Sequence, residues 1–104
     1  MTPVPQYSAV RLDDSSAGEI LTLQRAAYIT EAAAHDDFRL APLTQTLDEL
    51  RAELTDASVV ALGVFDGARL VGAVRLRNVG DVVELGRLTV VPDMQGRGIG
   101  TFLL

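Results

Sequence analysis

The sequence predicts an α+β fold in the order strand, helix, helix, three strands and the start of a third helix. Three observations carry this prediction. Two amphipathic segments follow capping signals, an Asp-Gly pair separates two β-like runs, and a glycine-rich turn follows a third such run. Strands and helices in separate runs, rather than in alternation, are typical of a mainly antiparallel sheet. The 104 residues suffice for one domain, 1–104, with a flexible tail expected at 1–6.

The chain is predicted to begin with one strand and one long helix. Residues 7–13 alternate loosely between polar and apolar side chains, which is typical of a strand. Ser16 and Glu19 have the spacing of a capping box, in which side chains and backbone N–H groups satisfy one another. The apolar stripe and the alanines that follow predict a helix over residues 16–34.

A loop and a second helix are predicted next. Residues 35–42 indicate the loop, and Thr46 with Glu49 forms a second capping box. The buried stripe of this helix consists of Leu47, Leu50 and Leu54. Leucines three and four residues apart lie on one helical face, so this segment is expected to pack against the sheet.

Three strands are predicted in the second half of the chain. Residues 59–65 form an apolar run, and Asp66-Gly67 is a strong signal for a tight hairpin turn. The return strand is expected at 69–77, a second turn at 78–81 and the last strand at 82–91. A proline follows directly and ends that strand.

Composition excludes several classes of function. Cysteine is absent, so thiolate metal sites and cysteine nucleophiles are excluded. No apolar run approaches the roughly 20 residues of a membrane helix, and the first residues do not resemble a signal peptide, so no membrane partner is expected. The net charge of −5 argues against a nucleic-acid partner and mildly favours a cationic small molecule. We therefore expect a cytoplasmic protein.

The glycine-rich turn is the main candidate for a binding site. Gly96, Gly98 and Gly100 recur at every second position, and the third glycine of a dinucleotide fingerprint is replaced by Thr101. The Lys-Ser/Thr of a P-loop is missing as well. What remains is a turn with free backbone N–H groups at the start of a helix, which can bind an anion with help from Arg97. An ordinary glycine-rich connection is the alternative.

The residues Gln95-x-x-Gly98-x-Gly100 resemble the (Gln/Arg)-x-x-Gly-x-(Gly/Ala) acyl-CoA motif of the GNAT superfamily of N-acetyltransferases. The predicted strand end and proline over residues 88–92, and the order of the elements, are also typical of that family. The resemblance implies a GNAT-like fold, acetyl-CoA as co-substrate and no metal. It further implies direct acetyl transfer to a primary amine of a small molecule or peptide, without a covalent enzyme intermediate.

The resemblance also implies roles for particular positions. Backbone groups at the end of the last strand would bind the pantetheine arm as an added strand would; these are Leu88, Thr89 and Val90. The turn would wrap the pyrophosphate through Gln95, Gly96, Arg97, Gly98, Ile99, Gly100 and Thr101.

Glu84 is the candidate catalytic base, because many family members place a carboxylate at this position of the strand. Only a neutral amine attacks a thioester, so a proton must be removed from the incoming ammonium. We expect Glu84 to be partly buried between Val83 and Leu85, an environment that strengthens a carboxylate as a base. The alternative is a solvent-facing residue, or one paired with a neighbouring arginine.

Several other residues are weaker candidates. The only histidine is His35. It lies where family members often form one wall of the site for the acceptor substrate, but a lone loop histidine is more often a surface residue. An acidic pair and two apolar side chains nearby are candidates for the same wall: Asp36, Asp37, Phe38 and Leu40. Nothing in the sequence marks Tyr7 or Tyr28 as an acid.

The sequence departs from the family after the turn. A typical member continues with a further strand, another helix and two closing strands, so we expect the C-terminal half of the fold to be absent from this chain. The strand at 82–91 is then expected to have an open, apolar edge. We expect that the chain is a fragment of a longer acetyltransferase. One alternative is a chain that completes its sheet with another copy, by strand exchange or oligomerisation. The other is a degenerate, non-catalytic CoA-binding relative.

Overall fold

Four strands form a single antiparallel sheet in the order β1-β2-β3-β4. The computed structural model describes residues 7–35 and 39–103. The strands are β1 Ala9–Leu12, β2 Val59–Asp66, β3 Arg69–Val79 and β4 Val82–Val90. The helices are α1 Ala17–His35, α2 Ala41–Thr44, α3 Leu47–Thr55 and α4 Ile99–Leu103. The predicted α+β class and the order of its main elements are confirmed.

The start of the first helix differs from the prediction. A 3-10 turn over Asp14–Ser16 precedes α1, so Ser16 is already in a helical turn and cannot act as an N-cap, which requires extended backbone. The cap is Asp13, which is extended and accepts a hydrogen bond from the Ser15 N–H at 2.9 Å. The hydrogen bonds from the Ser15 side chain and backbone lower the pKa of Asp13. The capping box predicted at Ser16 and Glu19 is therefore wrong.

The second capping box is confirmed. The Glu49 N–H donates to the Thr46 hydroxyl oxygen at 3.2 Å, and the Thr46 N–H donates to Glu49 Oε1 at 3.0 Å. The bond from the Thr46 N–H is the main cause that lowers the pKa of Glu49. The short helix α2 begins inside the predicted loop, because Pro42 lies in its first turn, where a missing N–H is not needed.

Both hairpins form where turns are predicted, with adjusted limits. The β2–β3 turn contains Gly67 and Ala68, directly after the predicted Asp66-Gly67 signal. The β3–β4 turn is narrower than 78–81, since Val79 pairs with Val82 and only Gly80 and Asp81 connect them. The last strand ends one residue earlier than predicted.

Helices pack on both faces of the sheet. Ile20 and Leu23 of α1 and Leu50 of α3 are buried. A Cβ on Gly72 of β3 would lie 2.6 Å from Ile99 Cγ2 of α4, so glycine permits this close approach. Gly72 and Arg75 are an odd number of residues apart and point to opposite faces. Because Arg75 binds α1 and α3, α4 lies on the other face.

A buried polar network joins three elements beneath the sheet. Arg75, only 5% exposed, donates to Gln24 Oε1 at 2.7 Å, and its Nε lies 2.8 Å from Glu53 Oε1. This contact is an ion pair, since Nε makes no hydrogen bond. Gln45 donates to Glu53 Oε2 at 2.8 Å. Burial lowers the pKa of Arg75, and the neighbouring Glu53 opposes that shift. An arginine side chain stays protonated in proteins, so the buried guanidinium carries its charge.

No helix in the described part of the chain is both long and apolar enough to cross a lipid bilayer.

Candidate functional site

The end of β4 presents backbone groups on an open edge. Within residues 7–35 and 39–103, β4 pairs only with β3. The Val91 N–H donates to the Val71 carbonyl at 2.9 Å, and Val90 is paired with Gly72. In an antiparallel ladder, pairs that exchange hydrogen bonds alternate with pairs that do not. The N–H and C=O of Val90 therefore point away from β3, towards the open edge.

A β-bulge interrupts β4 just before this edge. Ala73 pairs with Thr89 while Arg75 pairs with Gly86, so Arg87 and Leu88 together face the single residue Val74. Arg87 has φ 53°, in the left-handed region that non-glycine residues rarely occupy. A bulge bends its strand and re-aims neighbouring groups, and bulges are common beside active sites.

The glycine turn exposes a row of backbone donors. Gly96 and Gly98 have φ 82° and 83°, which only glycine adopts without strain. A Cβ at either position would meet nothing within 4 Å, so the surface above the turn is open. The N–H groups of residues 96–101 find no hydrogen-bond acceptor elsewhere in the described chain. Successive unpaired N–H groups of this kind form an anion-binding concavity.

A groove of about 430 Å³ joins the strand end to the turn. It is lined by Val90, Met94, Gln95, Gly96, Gly98, Ile99, Gly100 and Thr101. Most of the cofactor residues predicted from the sequence are thus brought together. Leu88, Thr89 and Arg97 lie outside this lining.

Individual side chains in the groove differ in availability. The Gln95 amide donates to the Val90 carbonyl at 3.2 Å and so ties the turn to the strand end. Ile99 is 1% exposed against the sheet and offers the groove only its backbone. The Thr89 side chain is also buried, with its hydroxyl 3.4 Å from the Ala73 carbonyl. Arg97 and Thr101 are exposed.

Two contacts anchor the turn to the rest of the chain. Arg69 forms a bidentate ion pair with Asp93, with both N–O distances 2.8 Å. The hydrogen bonds from Arg69 lower the pKa of Asp93. The Tyr7 hydroxyl donates to the Arg97 carbonyl at 3.3 Å, and its ring packs on Phe102. The sequence carries no local signal for either contact, because the partners are far apart along the chain.

Glu84 lies on the same strand, before the bulge. Its expected partial burial between Val83 and Leu85 is wrong: Glu84 is exposed and its neighbours are 54% and 52% exposed, because nothing described covers this edge. It pairs across the strands with Arg77, yet no described arginine lies within 4 Å of its carboxylate. Its role as a base stays a prediction.

A small hollow beside Glu84 contains several charges. It measures about 90 Å³ and is lined by Glu53, Val59, Arg75, Arg77, Glu84, Leu85, Gly86 and Arg87. The guanidinium of Arg77 lies 3.9 Å from the carboxylate of Glu53, so it is directed towards α3 and forms no ion pair with Glu84.

The weaker candidates for the acceptor wall fall largely outside the described residues. Asp36, Asp37 and Phe38 are not among them, and only the backbone of His35 is described, as the last residue of α1. Leu40 is half-buried and directly precedes α2.

Comparison with protein families decides the class. A model described as the acetyltransferase (GNAT) family matches residues 19–104. The chain belongs to the GNAT family of acetyltransferases. The matched range contains the open strand end, the bulge and the glycine turn, and the chemistry named for this GNAT family is acetyl transfer. A comparison with curated proteins found no match.

Solved structures show the same GNAT fold. PaiA N-acetyltransferase from Thermoplasma acidophilum, in complex with coenzyme A, matches with TM-score 0.78 and 18% identity over 95% of this chain and 67% of that one. Ribosomal-protein-alanine N-acetyltransferase from Brucella melitensis biovar Abortus 2308 matches with TM-score 0.68 and 22% identity over 95% and 66%. A tandem GNAT protein from the clavulanic acid biosynthesis pathway matches with TM-score 0.71 and 26% identity over 94% and 30%. The chain spans about two thirds of the length of the first two.

Replacing Gly98 with alanine should destabilise this GNAT chain, and replacing Gly100 should not. Alanine at φ 83° is strained by roughly 1–2 kcal/mol. Gly100 is helical, and its added Cβ would lie 3.8 Å from Val90 Cγ2, an ordinary contact, so stability is expected to stay equal or rise by up to about 1 kcal/mol. Urea unfolding of both variants measures the difference, and equal losses would contradict the assigned turn geometry.

Proposed function

We propose that this chain carries the acetyl-CoA site of an N-acetyltransferase that transfers an acetyl group to a primary amine by direct attack. The observation that carries this proposal is the groove that joins an open strand end to a turn of unpaired N–H groups. Membership of the GNAT family supports it. No metal enters the proposed reaction.

The two ends of the groove suit two parts of the cofactor. Pantetheine carries amides, and the outward N–H of Val90 can donate to one of them as in an added strand. The Val90 carbonyl already accepts from the Gln95 amide. In this proposal Leu88, within the bulge, contributes backbone groups beside it, whereas Thr89 pairs with Ala73 and directs its own backbone groups towards β3. The pyrophosphate is doubly charged, and the N–H groups of residues 96–101 supply donors for it. Arg97 adds a charge-assisted contact from the exposed side of the turn.

Glu84 is proposed to accept the proton of the incoming ammonium, directly or through a water. The neutral amine nitrogen then bonds to the thioester carbonyl carbon, the carbon–sulfur bond breaks, and the electron pair leaves with the CoA sulfur. The nitrogen loses a second proton as the amide forms, and the CoA thiolate takes up one proton and leaves as the thiol. Glu84 precedes Leu88 by four residues, about 13 Å along an extended strand, and the bulge shortens that distance. A thioester beyond the pantetheine arm therefore lies towards Glu84.

The acceptor is proposed to be a small-molecule or peptide amine. The net charge of −5 favours a cationic acceptor, and it disfavours nucleic acid as a partner. A cytoplasmic location and the absence of a membrane partner stay predictions.

Titration calorimetry with acetyl-CoA, followed by an assay of free CoA thiol with a panel of amines, tests the proposal. We expect saturable binding and amine-dependent thiol release, with no acetylated protein formed when the amine is omitted. A folded chain that binds no acetyl-CoA would contradict the site. An acetylated protein that later passes its group to an amine would contradict direct attack.

A second candidate function is self-association through the open edge of β4. Val82, Val83 and Leu85 are 61%, 54% and 52% exposed on β4, which pairs with β3 on one side and has an open edge on the other. Open strand edges of this kind pair with other chains. In this role the chain is a non-catalytic module that binds CoA weakly or not at all. Size-exclusion chromatography with light scattering discriminates the two, since a monomer that turns over acetyl-CoA would rule it out.

A further inference from the structure

Tyr7 connects the start of the chain to the middle of the glycine turn. Its hydroxyl donates to the carbonyl of Arg97 at 3.3 Å, although the two residues are 90 positions apart. Its ring centroid lies 5.9 Å from that of Phe102 in α4, at 49° between the planes. The half-buried ring is thus held by packing, and the hydroxyl is directed at a single peptide group.

That peptide group is the one that joins Arg97 to Gly98. In a trans peptide the C=O and the N–H point in opposite directions. A hydroxyl that holds the Arg97 carbonyl on one side therefore turns the Gly98 N–H to the other side. The Gly98 N–H meets no acceptor in residues 7–35 and 39–103, and Gly98 lines the groove.

Without such a contact, this peptide has more than one accessible orientation. Gly98 has φ 83°, and glycine populates positive and negative φ about equally well. Gly96, at φ 82°, gives the same freedom to the preceding part of the turn. A turn built from two glycines thus needs an external contact to hold its donors in one arrangement.

We infer that Tyr7 is a positioning residue, which fixes the Arg97–Gly98 peptide so that the Gly98 N–H points at the pyrophosphate of CoA. The inference rests on the proposed acetyl-CoA site. It predicts that the hydroxyl of Tyr7 contributes to binding of the diphosphate part of the cofactor and contributes nothing to the pantetheine part.

The test compares Tyr7→Phe with the unchanged chain, using CoA in calorimetry and S-acetylpantetheine, which lacks the diphosphate, in an NMR titration. Phenylalanine keeps the ring contact with Phe102 and removes only the hydroxyl. Loss of one hydrogen bond is expected to weaken CoA binding about 3- to 10-fold. The affinity for S-acetylpantetheine is expected to stay within about 2-fold, since one distant hydroxyl is removed.

Tyr28→Phe is the matched control, because it removes a phenol hydroxyl from α1, away from the turn. It should leave both affinities unchanged, and thermal melts should show both variants folded. Equal affinity of Tyr7→Phe for CoA, or equal losses for both ligands, would overturn the role of Tyr7. If the unchanged chain binds no CoA, the proposed function fails first, and the role of Tyr7 fails with it.

Discussion

Replacing Glu84 with glutamine is expected to lower the rate of acetyl transfer by about 10²- to 10⁴-fold near neutral pH. A primary amine with a pKa near 10.4 is almost entirely protonated there, and the ammonium has no electron pair to attack with. Glutamine has nearly the same shape as glutamate but cannot accept that proton. Binding of acetyl-CoA should not change, because Glu84 lies outside the groove of the glycine turn.

The pH dependence gives this prediction a specific signature. As the pH rises towards the pKa of the amine, the neutral form becomes abundant without a base. The rate difference between the unchanged chain and Glu84→Gln should therefore shrink steadily above about pH 9. Asp81→Asn, in the turn of the same hairpin, is the control and should keep its activity. Unchanged turnover of Glu84→Gln, or a deficit that stays constant with pH, would show that Glu84 is not the base.

Replacing Glu53 with glutamine is expected to have the largest effect on stability. It removes the carboxylate from beside the buried guanidinium of Arg75, with which it is 2.8 Å apart. Breaking a buried ion pair from one side costs about 3–5 kcal/mol, because the remaining charge is left without its counter-ion. A small domain is stable by only about 5–15 kcal/mol, so the loss is a large share of the total.

Urea unfolding measures this effect. Glu19→Gln, an exposed carboxylate on α1, is the control and should cost less than about 1 kcal/mol. The double variant Glu53→Leu with Arg75→Met removes both charges and should recover much of the lost stability, since apolar replacements of a buried pair are often neutral. A double variant that is no more stable than Glu53→Gln would show that the network is held together by its hydrogen bonds rather than by the pair.

Signals between close neighbours predicted most of the fold. The capping box of Thr46 and Glu49 and the Asp66-Gly67 turn depend on residues three and one positions apart, and both form as expected. The capping box predicted at Ser16 does not form, because Asp13 caps the chain three residues earlier. Ser16 therefore lies inside the helical turn, where its side chain cannot act as an N-cap.

The parts of the site that depend on distant pairings could not be predicted. The bulge at Arg87 arises from the register between β3 and β4; Gly86 was its one sequence signal, since glycine within a strand often marks a bulge. The contact of Tyr7 with Arg97 depends on the whole sheet bringing them together. The burial expected for Glu84 assumed a covered strand, whereas β4 is one of the two edge strands of the described sheet.

Mapping of amide chemical shifts on addition of acetyl-CoA tests the central proposal most directly. We predict that the largest changes occur at Val90 and across residues 96–101, where unpaired N–H groups meet the groove. A second cavity of about 420 Å³ lies between α1 and the start of β3, lined by residues that include Thr22, Leu23 and Leu70. Changes centred on that cavity, or no changes in a folded sample, would contradict the assignment of the cofactor to the strand end and the glycine turn.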